Sequence, residues 1–266
     1  MIDLKEIECF LLDMDGTFYL GDELIEGALK FIDILEKQGK EYIFLTNNSS
    51  KNSRNYQKKL DKLGLSVPLE RIVNSGEVTA NYIKKRCSKA RVYVVGTPNL
   101  KEEFRQFGLE VVEEKEFNID YVVLGFDTTL TYKKLWAAHD LILDGVEYIA
   151  TNPDYVCPLE EGNTMPDCGA MINLLKTSTG EEPLVVGKPN TVMIEYISSL
   201  VGADKEKMAM IGDRLYTDIK TANRAGITSV LVLSGDTDRE ELKESSEQPD
   251  YVLESIRELG TKLNKE

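Results

Sequence analysis

Short apolar runs alternate with longer amphipathic segments along nearly the whole chain, and that rhythm fits a parallel α/β sheet. Residues 7–12 read as a buried strand, 26–38 as a helix stopped by Gly39, and 42–45 as a second strand. A helix over 53–63, a short strand at 71–73 and a helix to about residue 87 follow. Near Arg91 the rhythm restarts, with strands at 92–95, 111–112, 121–124 and 148–150 and helices near 100–107, 132–143 and 168–177. Three further strands, 184–186, 208–211 and 229–233, are expected to return the chain to the first sheet, with 251–253 as an edge strand. The pattern predicts a core domain over 1–88 and 182–266 and a second α/β domain inserted at 89–181.

Composition narrows the partners. With 266 residues, 42% hydrophobic and 29% charged, the chain can bury one large core or two modest ones. Lys plus Arg number 32 against 46 Asp plus Glu, and the resulting charge of −14 repels polyanions. Neither nucleic acid nor an anionic membrane is therefore an expected partner. No run approaches the roughly 18 apolar residues of a membrane span. The mixed, acidic opening Met1-Ile2-Asp3-Leu4-Lys5-Glu6 is the reverse of a signal peptide. Cys9, Cys87, Cys157 and Cys168 form no CxxC pair, which fits reduced thiols and a cytoplasmic location. A single histidine, His139, excludes HExxH zinc chemistry. Chemistry is left to carboxylates, hydroxyls, lysines and thiols.

Four polar clusters each follow an expected strand, where open α/β sheets bind their ligands. Asp13-Met14-Asp15-Gly16-Thr17 puts two carboxylates close together, a costly arrangement unless a cation or a shared proton relieves it. It is not an EF-hand, because the sixth loop position is Phe18. Thr46-Asn47-Asn48-Ser49-Ser50 offers hydroxyls, amides and free N–H groups to a phosphate oxygen. Gly187-Lys188-Pro189 holds a lysine on a restricted backbone, suited to neutralising a carboxylate–phosphate cluster. Gly212-Asp213 with Asp218 five residues on supplies a hard oxygen ligand and a carboxylate to support it. Each cluster alone also reads as an ordinary turn, helix cap or solvated lysine.

Together, and in this order, the four resemble the motifs of the haloacid dehalogenase superfamily of phosphohydrolases. Asp15-Gly16-Thr17-Phe18-Tyr19-Leu20-Gly21, Leu45-Thr46-Asn47-Asn48-Ser49-Ser50 and Ala150-Thr151-Asn152-Pro153-Asp154 are similar to its NagD-like, p-nitrophenylphosphatase-like branch, subclass IIA. The resemblance implies a Rossmann-like parallel-sheet core with an inserted α/β cap. It implies Asp13 as nucleophile and Asp15 as general acid and base. Mg²⁺ is then expected on Asp13, the Asp15 main-chain carbonyl and Asp213, with Asp218 behind them. Thr46, Asn47, Asn48 and Lys188 are expected to bind phosphate. A second acid at position 15 favours a phosphatase, since the superfamily's dehalogenases lack it.

A small phosphorylated metabolite is the implied substrate, with sugar phosphates ahead of nucleoside monophosphates. The loop 152–165, including Glu160, Glu161, Gly162 and Asn163, and the stretch Pro166-Asp167-Cys168-Gly169 are expected to read it. The branch often dimerises through its caps, so a homodimer is carried as an expectation. His139, Cys157 and Cys168 read as structural residues and 236–247 as a solvated acidic face. The alternatives from another class are a non-catalytic phosphoryl-binding protein and a phosphorelay receiver, the latter about half this length. Neither a P-loop nor a GxGxxG is present.

Overall fold

The computed structural model describes residues 2–159 and 163–264, which form two compact units. In chain order the strands are β1 (Cys9–Asp13), β2 (Tyr19–Leu20), β3 (Glu23–Leu24), β4 (Glu41–Thr46), β5 (Ile72–Asn74), β6 (Arg91–Val95), β7 (Glu110–Val112) and β8 (Tyr121–Leu124). They continue with β9 (Glu147–Ala150), β10 (Val156–Pro158), β11 (Thr164–Pro166), β12 (Leu184–Val185), β13 (Met208–Gly212), β14 (Thr228–Val232) and β15 (Tyr251–Leu253). The helices are α1 (Ala28–Lys37), α2 (Ser53–Lys62), α3 (Ser75–Arg86), α4 (Pro98–Gln106) and α5 (Tyr132–Leu143). After them come α6 (Cys168–Thr179), α7 (Val192–Val201), α8 (Lys220–Ala225), α9 (Arg239–Glu244) and α10 (Ile256–Leu263).

The first unit takes in Met1–Thr46, Gln57–Val73 and Lys188–Glu266. Its sheet runs β15-β14-β13-β1-β4-β5, and β1 pairs in parallel with β13 on one side and β4 on the other. All five residues of β1 are buried, as expected of a strand with neighbours on both edges and helices on its faces. Full burial of a Phe or Leu in such a strand contributes about 1.5–3 kcal/mol. On one face α1 buries Phe31, Ile32 and Leu35, and the Phe31 ring meets Phe10 of β1 edge-on at 5.8 Å. Helix α1 starts at Ala28, two residues later than the pattern suggested, because Gly27 sits at φ +90°. Register then decides the site. Asp13 pairs with Leu45 and Leu12 with Ile211, so the carboxyl ends of β4, β1 and β13 lie side by side.

The second unit takes in Asn47–Tyr56 and Asn74–Gly187. Its sheet, β12-β9-β8-β6-β7, is parallel throughout, and its core gathers Val122, Leu124, Leu135, Leu141 and Leu175 from the sheet, α5 and α6. The expected insert 89–181 lies wholly inside it, and α3 belongs here as well because it packs on α4. One expectation fails. The apolar run 184–186 does not rejoin the first sheet: Leu184 pairs with Ile149 and Val185 with Ala150, at the edge of the second. A short apolar run carries no label for its partner strand, and here the pairing continues to Gly187, whose N–H donates to the Thr151 carbonyl. The two-residue hairpin strands β2 and β3 and the hairpin β10–β11 were too short to show as periodicity. Among the described residues no helix is long and apolar enough to cross a membrane.

Candidate active site

Asp13 closes β1, and its side chain is held at the sheet's carboxyl edge between two charged neighbours of the first unit. Lys188 donates to Asp13 Oδ1 at 2.5 Å and to Asp218 Oδ1 at 2.6 Å. Both the lysine and Asp218 are buried, so this is an ion triad inside the protein. Burial by itself would drive the Lys188 ammonium down, but the two carboxylates override it and hold it charged well above its ordinary range. Asp13 Oδ2 carries no hydrogen bond among the described residues, and the side chain keeps 13% of its surface open.

Asp213 follows β13 and faces the same cluster. Its Oδ2 accepts the Asp236 N–H at 2.8 Å, and its Oδ1 accepts the Thr17 hydroxyl at 3.4 Å. Three glycines make room for these carboxylates. A Cβ on Gly16 would stand 2.2 Å from Asp213 Oδ2, one on Gly235 2.0 Å from the same oxygen, and one on Gly212 2.3 Å from the Asp218 Cβ. Gly16 also needs φ +82°, a conformation other residues adopt at a cost. Asp218 lies in a single π-helical turn, Leu215–Ile219, whose wider backbone leads into α8. Both its oxygens are taken, Oδ1 by Lys188 and Oδ2 by the Arg214 N–H at 3.1 Å. Through Oδ1, Asp218 supports the lysine.

One oxygen each from Asp13, Asp213 and Asp218 lies within 4.8 Å of the others. Burial pushes the Asp13 carboxyl well above the usual carboxylate range, and Asp218 and Asp213 add to this against Lys188. Burial, then Asp218, likewise lifts Asp213 to about 7, against the Asp236 N–H and Arg214. Three carboxylates thus crowd together while Lys188 bonds only two of them, and the donor set is all oxygen. The cluster fits a divalent metal ion, which would supply the missing positive charge.

The remaining sequence candidates are placed as follows. Asp15 is half-buried, and its Oδ2 accepts the Tyr19 hydroxyl at 3.4 Å. Thr46 ends β4 next to β1. Asn47 and Asn48 belong to the second unit, where Asn47 donates to Asp154 at 2.8 Å and Asn48 Oδ1 accepts from the Ser50 N–H and hydroxyl. Asn152, from the expected substrate-reading loop, donates to Asp154 and Asp167. Glu160, Glu161 and Gly162 lie outside the described residues. Cys168 is buried and its thiol pushed up by that burial, as befits an inert core residue. The acidic run 236–247 is solvated over α9, yet its first residue is an Asp213 partner, which sequence reasoning missed. Ser234, which donates to the Gly16 carbonyl at 2.8 Å, was missed with it. Both stand just past β14, in the same strand-end position as the motifs that were recognised.

A buried lysine, an open strand-end carboxylate and an oxygen-only acidic cluster on a parallel sheet suit phosphoryl chemistry. Comparison with known proteins agrees. A haloacid dehalogenase-like hydrolase model matches residues 10–110 and a HAD-hydrolase-like model residues 185–259. An acid sugar phosphatase of Staphylococcus haemolyticus is 36% identical over 262 residues, 98% of either chain. The solved 4-nitrophenylphosphatase of Thermotoga maritima is 45% identical with a TM-score of 0.94, covering 99% of this chain and 100% of its own. A glycerol phosphate phosphatase of Mycobacterium tuberculosis, solved with magnesium, is 31% identical with a TM-score of 0.89 over 97% of this chain and 78% of its own. The chain belongs to the haloacid dehalogenase-like hydrolase family, on its NagD-like and p-nitrophenylphosphatase-like branch.

Proposed function

We propose that this protein hydrolyses phosphomonoesters of small metabolites, sugar phosphates first among them, through an aspartyl-phosphate on Asp13 with Mg²⁺ as cofactor. The observation that carries the reading is the Asp13 carboxylate itself: one oxygen is pinned by Lys188 and the other is open. Asp13 Oδ2 attacks phosphorus, and the ester oxygen leaves as an alcohol with a proton from Asp15. Water then attacks the aspartyl-phosphate, Asp15 takes its proton, phosphate departs and Asp13 is restored. Lys188 holds the nucleophile's orientation and offsets phosphate charge, while Thr46 and the Asn47 and Asn48 that follow it are assigned to phosphate oxygens. Asp13, the Asp15 carbonyl and Asp213 would hold the metal ion, which when bound supplies positive charge to carboxylates and phosphate alike. The second unit is assigned the role of cap and of substrate choice, and the acid sugar phosphatase relatives support sugar phosphates as its first substrates.

The test is hydrolysis of p-nitrophenyl phosphate and a panel of sugar phosphates by the purified protein. It is run with Mg²⁺, with chelator, and with the Asp13→Asn variant. Activity that needs Mg²⁺ and disappears in the variant is expected. Activity that survives Asp13→Asn would sink the mechanism.

A further inference from the structure

Tyr19 is a residue the mechanism above does not use, yet its hydroxyl is aimed at the acid–base carboxylate. The side chain is completely buried, and a buried phenol normally finds an acceptor for its proton. Here the acceptor is Asp15 Oδ2, at 3.4 Å. The contact is imposed by the backbone between them. The N–H groups of Phe18 and Tyr19 both donate to the Met14 carbonyl, at 2.9 and 3.1 Å, and the Gly16 N–H donates to the Tyr19 carbonyl at 2.8 Å. This tight loop, allowed by the left-handed Gly16, folds Tyr19 back until it bridges to Asp15. The Lys59 ammonium, from α2, stands 3.8 Å from the centre of the Tyr19 ring. A cation over a phenol ring draws electron density from it and makes the O–H a better donor.

We propose that Tyr19, with Lys59 acting through its ring, is the positioning residue that turns Asp15 toward the leaving oxygen. The proposal rests on the reading of Asp15 as general acid. With Oδ2 held by Tyr19, the plane of the Asp15 carboxyl is fixed, and with it the direction in which its proton is delivered. As Asp13 forms its bond to phosphorus, the P–O ester bond breaks, its electron pair stays on the alcohol oxygen, and the Asp15 proton goes to that oxygen. An alkoxide leaving group needs that proton badly; p-nitrophenolate hardly needs it. Positioning of Asp15 therefore matters far more for an alkyl phosphate than for p-nitrophenyl phosphate.

The experiment compares kcat/KM, which reports the steps up to departure of the leaving group, for glycerol phosphate and p-nitrophenyl phosphate. General acid catalysis contributes about 10²–10⁴-fold, and Tyr19→Phe is expected to forfeit roughly tenfold of it on glycerol phosphate with little change on p-nitrophenyl phosphate. Lys59→Met is expected to move the ratio in the same direction by less, Lys59→Arg to restore it, and Lys59→Met to add nothing in a Tyr19→Phe background. An equal loss on both substrates, or none, overturns the proposal, because a merely structural role cannot distinguish leaving groups. Should Tyr19→Phe fail to fold by thermal unfolding, the Lys59→Met and Lys59→Arg pair decides by the same ratio. Asp15→Asn separates the two levels. If it does not depress the alkyl ester selectively, the acid–base reading falls; if it does and Tyr19→Phe does not, only the positioning role falls.

Discussion

Replacing Gly235 by alanine tests whether the site depends on how closely backbone approaches Asp213. Gly235 has no left-handed φ, so the added methyl brings no backbone strain of its own. It does bring a collision along the whole Asp213 side chain: 2.0 Å to Oδ2, 2.5 Å to Cγ and 2.7 Å to Cβ. Ordinary contact begins at 3.4 Å, so the oxygen must retreat by about 1.4 Å and Cβ by about 0.7 Å. Rotation of the carboxylate cannot satisfy the second demand, and the backbone after β13 has to shift. That movement breaks the hydrogen bond from the Asp236 N–H and pulls an oxygen out of the cation cluster. A misplacement of about 1 Å in a catalytic constellation costs on the order of 10²-fold in rate, while overpacking costs about 1–3 kcal/mol of stability. The expected result is a folded protein, shown by a cooperative urea transition, with kcat on p-nitrophenyl phosphate down about a hundredfold and a raised Mg²⁺ requirement. A Gly235→Ala protein with wild-type kcat and Mg²⁺ dependence would refute the close-approach argument.

Two further outcomes follow from the buried charges. Lys188→Met leaves Asp13 and Asp218 facing each other without their shared cation, and breaking such a buried pair costs about 3–5 kcal/mol, to be read by urea unfolding in the presence of chelator. Glu103 of α4 is buried in the second unit and accepts from Asn74 at 2.8 Å, and its Oε2 has no hydrogen bond among the described residues; burial, with Glu77 nearby, pushes its carboxyl up to about 8. A raised carboxyl contributes stability that is fully present below its unfolded value of 4.5 and lost as pH rises to about 8, on the order of 5 kcal/mol across that window. Unfolding curves between pH 4.5 and 8 should therefore show Glu103→Gln gaining on the wild type as pH rises; parallel curves would show that Glu103 is not held neutral.

The strand-end rule accounts for what sequence reading found and for what it missed. Asp13, Thr46 and Asp213 were legible because each follows an apolar run, and a parallel sheet brings such ends together whatever the intervening lengths. Ser234, Gly235 and Asp236 obey the same rule after β14, but Asp236 opened an acidic run read as solvated surface, and Ser234 and Gly235 before it carry no charge to mark them. Asn47 and Asn48 were read as phosphate-binding amides. Folded, Asn47 donates to Asp154, over a hundred residues away and so out of reach of local sequence reading, while Asn48 accepts from Ser50 two residues on. The run 184–186 failed for a related reason: apolar periodicity identifies a strand and leaves its sheet unspecified.

The sequence by itself determined the fold class, the order of the four motifs and the chemical types available to them. Those are local properties, set by hydrophobic period and residue identity within a few positions. Only the tertiary structure decided which carboxylate is left open, which supports the lysine, and how near the glycines come to Asp213. These depend on the register of β1 against β13 and β4, and on side chains up to about two hundred residues apart in the chain, such as Thr17 and Asp213. Their ionisation follows from burial, which exists only once the sheet has closed over them.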